Sequence, residues 1–162
     1  MNFSSIKEYF YKSTSYCFLI VLLPVIFFAL IYNRLIALDL GIINFNDSLL
    51  LPVLFLGIEL IALTIVQLCV VQRLKKIAKQ PGLAMKLDAY FALTMIRIVV
   101  GALFCLVTVL GYLLTQNQLM DVLFFVTLAY TFFQFPTSRK TCIELKLRGD
   151  EREMVYYKKD RF

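Results

Sequence analysis

Apolar residues in this chain fall into four long blocks instead of scattering through it. YCFLIVLLPVIFFALIY opens the first, and the predicted spans cover about 16–36, 49–72, 89–114 and 119–135. Each block runs without strict alternation, so the period-2 signature of a strand is missing. A hydrocarbon core about 30 Å thick takes roughly 20 residues of helix. In lipid every backbone N–H and C=O needs an internal partner, which leaves helices as the reading for these runs. The expected fold is an all-α integral membrane protein, four transmembrane helices in an antiparallel up-down bundle. Residues 1–136 form the membrane domain and 137–162 a separate basic tail.

Charges set the expected orientation. Lys7 and Lys12 precede the first block, while Arg34 is the one cation in the 33–48 connection. Arg73, Lys75, Lys76, Lys79 and Lys86 crowd the 72–88 connection, none lies in 115–118, and eight follow Pro136. Cations gather on the cytoplasmic side of multi-spanning chains, so both termini are expected there. The net charge of +6 therefore reflects topology and attraction to anionic headgroups, with the five cations of 73–86 as the expected lipid contacts. Nucleic-acid binding is not expected. The first block is too long for a removable signal and lacks an A-x-A site, so it is expected to stay. Compactness points to a bacterial cytoplasmic membrane. Sixty per cent hydrophobic residues, 17% charged residues and a mean hydropathy of +0.78 agree with a membrane class.

Between the blocks the chain carries local signals. Residues 1–15 read as an amphipathic interfacial lead-in or a frayed end, with Phe3, Ile6, Tyr9 and Phe10 against Lys7, Glu8 and Lys12. Pro24 should loosen the first helix, and Pro52 suits the first turn of the second. Asn46, Asp47 and Ser48 offer N-caps for that second helix, whose extension should stop at Pro81-Gly82. In the tail, Thr141, Ile143, Leu145 and Leu147 alternate with Cys142, Glu144, Lys146 and Arg148, which predicts a β-hairpin turning at Gly149-Asp150. A short amphipathic helix fits the same residues.

Candidate chemistry is sparse. Two ionisable residues, Glu59 and Arg97, lie deep in apolar runs. Each costs about 2.5–3.5 kcal/mol at a helix centre and calls for a partner. Helical rise puts Glu59 about 20 Å and Arg97 about 13 Å from the basic connection between their helices, within reach of each other through an Arg side chain. A Glu59–Arg97 pair is the expected arrangement, with Arg97 snorkelling toward Gln67 or a lipid phosphate as the alternative. Thr94, Arg97, Gly101, Cys105 and Thr108 share one stripe with Gly111 beside it, the small and polar surface that helices in lipid use for packing. Thr127, Thr131 and Gln134 form a shorter stripe on the fourth helix.

No His occurs, and Cys17, Cys69, Cys105 and Cys142 are far apart without a C-x-x-C pair. Histidine metal sites and histidine general bases are thereby excluded. No cofactor or metal is expected. The expected role is a structural or accessory component packing in a homo-oligomer or with other membrane subunits. A small transporter or channel using Glu59 and Arg97 is the alternative, and a lipid-modifying enzyme a third.

Overall fold

The computed structural model describes residues 5–33, 50–115 and 117–158. The 33–48 connection beyond Asn33, the caps expected at Asn46, Asp47 and Ser48, Arg34, and the extension of the first span to 36 lie outside the described residues. Among the described residues the fold is entirely helical: α1 Ile6–Tyr32, α2 Leu50–Ile77, α3 Leu83–Thr115, α4 Gln118–Phe133, α5 Ser138–Glu144 and α6 Gly149–Tyr156. Three helices, α1 to α3, are long and apolar enough to cross a membrane, and a fourth crossing counts only if α4 and α5 form one broken span bent by 76°. The 16 residues of α4 explain the difference, because they reach only about 24 Å.

Helix α1 starts earlier than the apolar pattern suggests. Ser5 caps it, its hydroxyl accepting from Glu8 N at 3.1 Å, and Glu8 pairs with Lys12 one turn on. Residues 6–15 are thus continuous with the first span, and Ile6, Tyr9, Phe10 and Ser13 are buried on it. A detached interfacial lead-in is not what forms, since these side chains find protein to cover them. Pro24 lies buried inside the same helix.

Helix α3 is the centre of the assembly. It packs along α4 and α1 and more briefly along α2, while α2 touches α4 only lightly. It meets α4 tightly at Gly101, where a Cβ would come within 2.5 Å of Thr131 Oγ1. Near one end Phe28 of α1 stacks on Phe124 of α4 at 4.2 Å. The turn between α2 and α3 closes through Gly82, whose φ of +83° suits glycine and disfavours other residues. Helix α2 ends at Ile77, a few residues before the expected Pro81-Gly82 stop.

The tail does not form a hairpin. Pro136 breaks the chain after α4, Thr137 caps α5 with its hydroxyl on Lys140 N, and two short helices follow. Thr141, Cys142 and Leu145 are buried while Ile143 is 66% exposed, so the inward residues follow a helical spacing and not alternation. Counting Cys142 as polar hid this. Lys146 at φ +51° and Gly149 at φ +55° turn the chain between α5 and α6. At 33 residues α3 is about 50 Å long, so it outruns a hydrocarbon core by several turns. The tail docks on that surplus: Leu87, Tyr90 and Leu93 of α3 share one cluster with Tyr9 and Phe10 of α1, Val70 and Leu74 of α2, and Cys142, Leu145, Leu147 and Val155 of the tail. Residues 138–158 are therefore continuous with the helical core.

Candidate functional site

The two deep charges part company. Arg97 does not meet Glu59. Its NH1 donates to both carboxylate oxygens of Glu144 on α5, at 2.9 and 3.2 Å. Tyr90, two turns earlier on α3, donates its hydroxyl to the same carboxylate at 2.9 Å. The pair is enclosed, with side-chain exposures of 3% for Arg97 and 18% for Glu144. The reason is depth: Arg97 lies nearer the tail end of its helix than Glu59 does of its own, and a long guanidinium arm turns toward the nearer polar end. The chain's own tail covers that end and carries a carboxylate into reach.

Lys140 completes the cluster. Its ammonium donates to Phe133 O at 2.7 Å, satisfying a carbonyl in the last turn of α4, and stands 4.0 Å from Glu144. Arg97 Nε and Thr94 Oγ1 are buried with no hydrogen-bond partner among the described residues. A second tie, Lys86 to Glu151 at 2.8 Å, holds α6 to the start of α3. Lys86, expected to face lipid headgroups, is thus drawn inward by an acidic residue of the tail, while Arg73, Lys75, Lys76 and Lys79 are exposed.

Glu59 sits between α2 and α4. It is 6% exposed and accepts a hydrogen bond from Thr127 of α4. The same Thr127 hydroxyl lies 2.9 Å from Leu123 O of its own helix. Around Glu59 the two helices separate into a groove of about 430 Å³, walled by Leu56, Leu63, Leu123 and Val126 and reached by Gln67 and Tyr130. Gln67 is exposed there, and the hydrogen bonds of Arg97 among the described residues go to Glu144.

Thr94, Gly101, Cys105, Thr108 and Gly111 are all buried on α3. Gly101 meets Thr131, and Gly111 lies near Met120 and Phe55. The hydroxyls of Thr108 and Thr115 turn back to carbonyls of their own helix, at 2.9 and 2.8 Å. A polar channel needs such groups aimed at a lumen; these two hydroxyls are satisfied locally. Among the described residues no group of three His, Cys, Asp or Glu could hold a metal ion.

Sequence reasoning missed Glu144. Its signal was weak, one acid in an apparently alternating segment of mixed charge. The helical spacing of Thr141, Cys142 and Leu145 puts Glu144 beside the buried face, and Lys140 one turn before it marks the same side. No protein-family model matches the sequence, and no curated protein or solved structure matches the chain.

Proposed function

We propose that the chain is a non-enzymatic accessory component of a membrane assembly, a bundle that holds a folded two-helix tail firmly against one membrane face. The observation that carries this reading is the Arg97–Glu144–Tyr90 cluster. An arginine enclosed in protein and engaged by the chain's own carboxylate is not free to grip a substrate anion, which weighs against a lipid-modifying enzyme. What the cluster does instead is orient a surface. With α5 and α6 fixed to α3, the exposed side chains Arg148, Arg152, Glu153 and Tyr156 are presented as a rigid patch and not as a loose peptide.

The distribution of Lys and Arg supports four crossings with both termini on the cytoplasmic side, the tail cap included. Arg73, Lys75, Lys76 and Lys79 then face anionic headgroups at the same surface. The exposure of helix α2 supports assembly: 11% of an 18-residue apolar stretch of it is buried, against 44% in α3. It offers a whole flank, including Ile58, Ile61 and Ile65, to a second copy or to another membrane subunit.

Native mass spectrometry from mild detergent, with subunit counting in liposomes, tests the proposal. More than one chain per particle, or a stoichiometric membrane subunit, is expected. Single copies at every protein-to-lipid ratio, with no companion subunit, would overturn it.

A second reading draws on the groove at Glu59. A carboxylate with one hydroxyl partner in an apolar groove complements an amphipathic cation, as a small transporter would require. Liposome flux of such a cation, lost in Glu59→Gln with assembly intact, would favour it; absent flux in the wild type would end it.

A further inference from the structure

A different cleft, of about 870 Å³, opens at the tail end of the bundle between the start of α1 and the α4–α5 junction. None of the residues of the Arg97 cluster or of the Glu59 groove lines it. Lys7 lines it from the first turns of α1 and Lys158 from just past α6, together with Ser15, Ser138, Phe18 and Pro136. Lys158 Nζ stands 5.4 Å from the Phe10 ring centroid, a cation–π contact that holds the ammonium at the rim. Neither lysine forms an ion pair among the described residues. Two cations line one cavity, and no acidic residue is among its described lining residues.

Polarity changes along the cleft in a definite direction. On α1 the charged residues Lys7, Glu8 and Lys12 give way to the apolar run that begins at Tyr16; on the other wall the apolar run of α4 ends at Phe135 and Pro136. Beyond the polar end, Phe18 meets Phe135 at 5.2 Å and Phe132 at 6.3 Å. Phe18 and Phe132 are 54% and 42% exposed, so this aromatic wall continues onto the outer flank of the bundle. The cleft therefore straddles the level at which both walls pass from polar to apolar. A phospholipid makes the same change between head and tail.

We propose that this cleft binds one anionic glycerophospholipid. Its phosphate lies between Lys7 and Lys158, its glycerol and headgroup oxygens accept from Ser15 and Ser138, and one acyl chain follows Phe18, Phe132 and Phe135. A zwitterionic lipid is disfavoured because its own cation would be brought beside two ammonium groups. The exposed run Arg73–Lys79 attracts anionic lipid without a cavity, whereas here charge, hydroxyls and an apolar track coincide. The inference rests on the membrane reading and is independent of the accessory role.

The test uses the full chain purified from bicelles of mixed phosphatidylglycerol and phosphatidylcholine, read by native mass spectrometry and by thermal shift. Retention of one phosphatidylglycerol per chain and selective stabilisation by that lipid are expected. Lys7→Gln with Lys158→Gln should lower retention roughly thirtyfold, the effect of removing two cations near one anionic group. Lys7→Arg with Lys158→Arg should keep it, and circular dichroism should be unchanged in both. Equal retention of the two lipids, or full retention by the double Gln variant, would overturn the proposal. So would equal stabilisation by glycerol 3-phosphate alone, which would assign the cleft to a soluble phosphate ester.

Discussion

Glu144→Ala is the sharpest probe of how the tail is held. It removes both acceptors of Arg97 NH1, at 2.9 and 3.2 Å, and the acceptor of the Tyr90 hydroxyl. Breaking one side of a buried ion pair costs about 3–5 kcal/mol because the other charge is left enclosed. Glu144 keeps 18% of its side chain exposed, so water can partly replace it, and the low end applies. A loss of about 3 kcal/mol raises the population with the tail undocked about 150-fold. Limited trypsin digestion reads that population when opening is fast compared with cleavage. Cleavage after Arg139, Lys140, Arg148 and Arg152 should accelerate by about two orders of magnitude, while α1 to α4 stay intact. Arg97→Met combined with Glu144→Ala leaves no enclosed charge and should recover most of the protection, a coupling of about 2 kcal/mol in the cycle. Cleavage of Glu144→Ala within about threefold of wild type would refute the view that this pair fastens the tail.

Two glycines should respond oppositely to the same change. Gly101→Ala places a methyl 2.5 Å from Thr131 Oγ1, and the overlap should outweigh the gain in helix propensity for a net loss of about 1–2 kcal/mol in thermal or denaturant unfolding, relieved by Thr131→Ala. Gly57→Ala meets nothing within 4 Å and should stabilise by about 0.4–1 kcal/mol in the same measurement. Cys69 is exposed whereas Cys17, Cys105 and Cys142 are buried, so a membrane-permeant maleimide should label one thiol in the folded protein and four after denaturation. Labelling of two or more before unfolding would contradict the packing of α1, α3 or α5.

Legibility followed the range of the forces involved. Hydrophobic blocks are a local property of the chain, and the four apolar runs correspond to α1 to α4, because backbone groups among such residues have no better arrangement than a helix. That Gly101 and Cys105 share a face follows from helical periodicity alone, whereas the contact of Gly101 with Thr131 needed the packed helices. The tail was misread because its amphipathic period is short. A few residues fit alternation or a helix depending on whether Cys142 counts as polar, and burial against Leu87, Tyr90 and Leu93 decided the matter. Residues 6–15 read as interfacial for the same reason: their cover is the tail, remote in sequence.

By itself, then, the order of apolar and charged residues determined that this is a helical chain with segments able to cross a membrane, and that Glu59 and Arg97 need partners. Which partners they take was decided in three dimensions. Glu59 found a hydroxyl on α4 and Arg97 a carboxylate 47 residues away, because the bend after Pro136 swings α5 beneath the bundle and brings Glu144 to the nearer polar end. Single-residue depth follows from helical rise, whereas the choice of counter-charge depends on where a distant segment folds back, and no local pattern encodes that.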